Sequence, residues 1–133
     1  MTNQPGPQIS LTRDVPAGRK VIGAYGDGGF IVEGERLTGS LLVFPRRVVA
    51  WPVTAFAEVT LDSLAEVLAE TPAVELLLIG CGPRQELASA ALRDGLRAAG
   101  IAADFMDTGA ACRTFNVLLA EDRRAAAALI AVP

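Results

Sequence analysis

A chain of 133 residues with 51% hydrophobic content fits one domain and can bury a core without metals or disulfide staples. Its 12 basic and 15 acidic residues leave a net charge of −3, which speaks against nucleic acid as a partner. It has no histidine and two cysteines, which removes an imidazole proton shuttle, a zinc centre and a secreted disulfide framework.

Residues 1–17 read as a flexible polar tail punctuated by Pro5, Pro7 and Pro16, with no apolar run of the signal-peptide kind. Only Arg13 precedes Arg19, and Asp14 lies between them, a pattern unlike a mitochondrial presequence. The expected setting is a reducing cytoplasm. Residues 18–133 read as a single compact domain that does not span a membrane, since no run approaches the roughly 20 apolar residues needed.

Val21–Tyr25 and Phe30–Val32 are β-prone runs flanking Gly26-Asp27-Gly28-Gly29, a hairpin signal because glycine accepts the positive φ of a tight turn. Glu33–Arg36 reads as a second turn, Leu37–Phe44 as a strand stopped by Pro45, and Val48–Trp51 as a short strand before Pro52. The period then becomes helical. Thr60 is placed to cap a helix whose inward face is Leu61, Leu64, Ala65 and Leu68, ended by Pro72. Val74–Ile79 is a nearly continuous apolar run, as expected of a strand covered on both faces. A helix is expected over about 84–99, with Leu87, Ala91, Leu92 and Leu96 inward and Gly100 as its stop. Ala102–Met106 reads as a strand, and Thr108–Ala120 as a helix with Ala111, Phe115, Leu118 and Leu119 on its apolar face. In the last segment, 123–132, the alanines favour helix by propensity, whereas Leu129–Val132 suits a sheet. It is read as a strand. The fold class is α/β (α+β mixed): a β-rich first half with a hairpin, then helix-strand alternation, layered around one sheet.

Three motif look-alikes are rejected on physical grounds. Leu77–Gly82 with Asp104 resembles the nucleotide turn of methyltransferases, but too little chain follows it and Pro83 stands where a permissive glycine belongs. Asp107-Thr108-Gly109-Ala110 matches the tetrad of retroviral-type aspartic proteases, yet no later glycine closes the loop and helix follows; helix capping is the simpler role. Gly26–Gly29 lacks the Lys-Ser/Thr ending of a phosphate loop. No cofactor and no metal are expected.

One constellation remains. If Val74–Ile79 and Ala102–Met106 are parallel neighbours, their following loops share one sheet edge, where ligands of open α/β sheets bind. Cys81, Gly82 and Arg84 would occupy one loop; Thr108, Gly109, Cys112 and Arg113 would begin the third helix. Backbone N–H groups and a guanidinium there favour a small anion, and a helix start lowers a thiol pKa at Cys112. The competing reading is plain packing: small residues at strand-helix junctions and cysteines acting as hydrophobes. Trp51 has the same two readings, partner contact or core aromatic. Glu121–Arg124 reads as decoration of a solvated turn.

Four strings occur in order: Tyr25-Gly26-Asp27-Gly28-Gly29-Phe30, Trp51-Pro52-Val53, Gly80-Cys81-Gly82, and Met106 to Asn116. As a set they resemble the domain-of-unknown-function family named after a methanogen protein. Its eukaryotic members include a mitochondrial respiratory complex I assembly factor and an adipogenesis-associated protein. The resemblance implies a three-layer β+α/β/α fold with a mixed central sheet in which one strand runs antiparallel to the rest. It implies protein partners and supplies no reaction or catalytic residue. The leading expectation is a non-enzymatic interaction or assembly module, linked by analogy to a respiratory complex; the alternative is anion or thiol chemistry around Cys81, Cys112 and Arg113. The sequence leaves the oligomeric state open.

Overall fold

Alternation along a strand sends successive side chains to opposite faces, so a strand apolar at every position must be covered twice. The computed structural model, which describes Ile9–Ser10 and residues 17–133, shows this for the three inner strands of its central sheet, Leu41–Val43, Leu76–Gly80 and Ala125–Leu129. The strands in chain order are β1 (Ile9–Ser10), β2 (Ile22–Gly26), β3 (Gly29–Val32), β4 (Glu35–Thr38), β5 (Leu41–Val43), β6 (Val48–Ala50), β7 (Leu76–Gly80), β8 (Ala102–Met106) and β9 (Ala125–Leu129). The helices are α1 (Ala65–Leu68), α2 (Ala90–Ala98) and α3 (Thr108–Ala120), with single 3₁₀ turns at Phe56–Glu58 and Asp62–Leu64. The expected tail, 1–17, lies outside the described residues except for β1, which pairs with β2, and Ala17.

The strands form two sheets rather than one. The small sheet is an antiparallel meander, β1-β2-β3-β4, and the central sheet has the order β6-β5-β9-β7-β8. In the latter β5 is antiparallel to both neighbours, while β6, β9, β7 and β8 share one direction. One strand therefore opposes the rest. The expected strand over 37–44 is in fact two: Gly39, at φ 88°, breaks it, and the chain passes from the small sheet at Thr38 to the central sheet at Leu41. Glu35 and Arg36, expected in the turn, instead begin β4.

Side-chain alternation sorts the core into two halves. Leu42, Phe44, Leu77, Ile79, Ala126, Ala128 and Ile130 face α1, α2 and the 3₁₀ turns, joined by Leu64, Val67, Leu92 and Leu96. Leu41, Val43, Leu78, Ala125, Ala127 and Leu129 face the other way, against Phe115, Leu119 and Ala111 of α3 and Ile22, Phe30 and Val32 of the small sheet. The layers are thus small sheet plus α3, central sheet, and the α1–α2 side. β9 is strand despite its alanines, because hydrogen bonds on both edges and cover on both faces outweigh a helix preference of tenths of a kcal/mol per residue.

Two helical expectations are corrected. The segment 84–89 is not helical, and α2 starts at Ala90 because Ser89 caps it, its hydroxyl accepting from the Leu92 N–H at 3.1 Å. Leu87, expected inward, is 94% exposed, and Ala91 is exposed too. In the preceding segment Thr60 and Ser63 bond reciprocally at 2.9 and 3.1 Å, but Leu61 and Leu64 stand at the cap positions, so Thr60 does not cap the helix as expected. A 3₁₀ turn then shifts the phase, so Val67 is buried where Ala65 and Leu68 were expected.

Candidate functional site

β7 and β8 are parallel neighbours in register from Leu76↔Ala102 to Gly80↔Met106, so their following loops do leave from one edge. Thr108 organises that edge. Its hydroxyl donates to the Ile130 carbonyl at 2.7 Å and accepts from the Gly82 N–H at 3.0 Å, while its own N–H donates to the Gly82 carbonyl at 2.9 Å. The Ile130 N–H reaches the Gly80 carbonyl at 3.0 Å, and the Cys81 N–H reaches that of Met106 at 2.7 Å. Three chain segments are stitched through one fully buried hydroxyl. Gly80 must be glycine for this approach, since a Cβ would lie 2.9 Å from the Thr108 Cα.

The start of α3 is likewise occupied by the protein itself. Asp107 caps it, a carboxylate oxygen accepting from the Ala110 N–H at 3.0 Å. At Gly109 the Tyr25 hydroxyl sits 2.3 Å from where a Cβ would be. A carboxylate thus stands where the expected anion would bind. The aspartate of the protease-like tetrad is this cap, and Gly82, at φ 108°, makes the turn that mimicked a nucleotide loop.

Cys81, Gly82, Thr108, Gly109 and Cys112 are all buried, whereas Arg84 and Arg113 are exposed. Cys112 is fully buried against the α3 side, and burial pushes its thiol pKa up, outweighing the opposing pull of Arg113. The expected lowering is therefore corrected: desolvation of the thiolate wins over the helix start. Cys81 is also raised, chiefly by burial. The two thiols are free and belong to opposite halves of the core, separated by the central sheet. Trp51 is 4% exposed and its indole N–H donates to the Ser63 carbonyl at 2.7 Å, so it is a core residue, not a surface contact.

Several features escaped the sequence reading. Asn116 is buried on α3, where its side chain makes a two-way bond with the Ile22 backbone, accepting at 2.9 Å and donating at 2.8 Å. An amide on an otherwise apolar helix face was the available signal. Leu87 is the most exposed large apolar side chain among the described residues, on the irregular segment before α2. The third feature is a cleft of about 380 Å³ at the opposite edge of the sheet, where β5 ends and β9 begins. Arg19, Arg46, Arg123 and Arg124 line it with Glu70 and Asp122. Glu121–Arg124, expected to decorate a turn, supplies half of these charges. Arg19 pairs with Asp122 at 2.6 Å, Arg47 with Glu70 at 2.8 Å, and Arg124 with Glu75. Arg19's hydrogen bond and charge hold the Asp122 carboxyl below its ordinary pKa, with a smaller contribution from Arg46.

Among the described residues no helix is long and apolar enough to cross a membrane. A mixed five-stranded sheet with helices on one face and a helix plus a small sheet on the other defines the three-layer β+α/β/α class. The chain belongs to the family described as "Protein of unknown function (DUF498/DUF598)", whose match spans residues 22–130, a family that includes Mth938-like domains. A solved structure described as an outer membrane protein from Bartonella henselae is similar at TM-score 0.80 and 42% identity, over 90% of this chain and 100% of that one. A Mth938-like domain from Bordetella pertussis is similar at TM-score 0.76 and 31% identity, over 92% of each chain. NADH dehydrogenase [ubiquinone] 1 alpha subcomplex assembly factor 3 of Xenopus tropicalis is 36% identical over 109 residues. That match covers 82% of this chain but 60% of the frog protein, so the chain spans about three fifths of that relative's length. These relatives correct the cytoplasmic setting expected above: the curated animal proteins are assembly factors for NADH dehydrogenase, in the resembled family a mitochondrial role.

Proposed function

We propose that residues 18–133 act as one partner-binding module in the assembly of an NADH dehydrogenase. The observation that carries this reading is the 36% identity to an assembly factor for that enzyme over most of the chain. The strand-end junction supports binding over turnover, since Thr108, Asp107 and both cysteines are engaged in packing or internal bonds. Leu87, 94% exposed on a segment without regular structure, is the residue we probe as a contact with the partner protein. Its neighbour Gln85 fastens that segment to the Phe105 carbonyl at 2.9 Å, which presents Leu87 outward.

The test is affinity capture of the tagged chain from its native host in mild detergent, with co-eluting proteins identified by mass spectrometry. NADH dehydrogenase subunits or assembly intermediates are expected with the native chain and depleted with Leu87→Asp. Recovery of the tagged chain alone would overturn the reading. Equal recovery of those subunits with Leu87→Asp would remove Leu87 from it.

A further inference from the structure

The cleft at the amino end of β9 differs in charge from the rest of the molecule. The chain as a whole is acidic, at −3, yet four arginines and only two carboxylates line this cleft. Those carboxylates are already matched. Asp122 takes Arg19, and Glu70 takes Arg47, which approaches from outside the lining set. Arg124 is held by Glu75, also from outside. Arg46 has no ion-pair partner among the described residues, and Arg123 has only Glu121 at 3.9 Å. Arg46 therefore faces the cleft without an ion pair, and Arg123 with a single long one.

The fold holds them there. The Lys20 N–H donates to the Pro45 carbonyl at 2.8 Å, fastening the approach to β2 against the end of β5 and so setting Arg19 beside Arg46. The Arg124 carbonyl accepts from the N–H groups of Glu75 and Leu76, fixing the turn that carries Arg123. Pro45, Pro72 and the buried Val74 give the cleft an apolar wall. Guanidinium is the weakly hydrated, forked donor suited to pairs of oxyanion oxygens. A volume of about 380 Å³ lies in the range of small-molecule sites.

We propose that this cleft binds a small oxyanion carrying at least two negative charges, a polycarboxylate or a phosphate ester, with Arg46 and Arg123 as its principal ligands. This goes beyond the partner-binding reading and does not depend on it: the cleft lies at the opposite end of the sheet from Leu87's segment.

The test is calorimetric titration of the full chain with pyrophosphate and, separately, with citrate at physiological ionic strength. Saturable one-to-one binding of at least one probe is expected. Pyrophosphate alone would identify phosphate as the source, citrate alone carboxylate, and both the shared oxyanion chemistry. The Arg46→Ala/Arg123→Ala variant should weaken binding by about tenfold or more, as loss of charged hydrogen bonds implies. Removal of equal charge from α2, in Arg93→Ala/Arg97→Ala, should leave binding unchanged. Failure of both probes to saturate, or equal loss in the two double variants, would overturn the proposal.

Discussion

The two edges of the central sheet present opposite solutions to the same crowding. At the carboxyl ends of β7 and β8, Thr108, Gly80, Gly82 and Ile130 are drawn together by hydrogen bonds, with Gly80 too close to Thr108 for a Cβ. At the other edge, where β9 begins, long arginines on exposed turns leave a cleft. The first edge is where a parallel α/β sheet ordinarily takes its ligand. Here it serves as a rivet, and chemistry able to recognise something else has moved to the far side. Position in a fold does not by itself designate a site; the atoms available there do.

The sharpest break in that contrast is Thr108→Val. It keeps the shape but strands the buried Gly82 N–H and Ile130 carbonyl, each costing about 1–3 kcal/mol. A loss of several kcal/mol in unfolding free energy, read from urea titrations, is expected; a near-neutral result would show the junction is not the rivet described. Next comes the buried thiol. Burial raises the native pKa of Cys112 above its unfolded value near 8.5, so its contribution is complete below about pH 8.5 and is lost as pH rises beyond it. Relative to Cys112→Ala, the native chain should lose about 1.4 kcal/mol per pH unit above that point, read from urea midpoints across alkaline pH. Parallel curves for the two proteins would mean that the thiol ionises in the fold. The smallest effects belong to the open surfaces. Arg46→Ala, Arg123→Ala and Leu87→Asp should each change stability by no more than about 0.5 kcal/mol in the same melts, as exposed positions do.

What the sequence disclosed follows the range over which each signal acts. The hairpin at Asp27-Gly28, the strand Ala102–Met106 and the helix Thr108–Ala120 are set by neighbours a few residues apart, and all three appear. The start of α2 was missed because Leu87 continues a helical apolar spacing, while Ser89, the residue that sets the boundary, looks unremarkable beside it. The division of 37–44 turned on one glycine at positive φ. Of the strand-end residues, Gly82 and Thr108 meet through a hydrogen bond while the central sheet separates Cys81 from Cys112; their burial was not legible, since it depends on Tyr25 and Ile130 arriving from distant segments. The arginine cleft was the least visible: Arg19, Arg46 and Arg123 come from three connections and converge only when β5 lies beside β9.

The place of β9 has a consequence for how the chain is made. It lies in the middle of the central sheet, between β5 and β7, yet it is the last of the five strands to leave the ribosome. Until Ala125–Leu129 emerges, the nascent chain can hold only two half-sheets, β5-β6 and β7-β8, each with a bare edge waiting for the same insert. The most alanine-rich strand is thus also the last to become available to its two neighbours, and slender side chains suit a place between them.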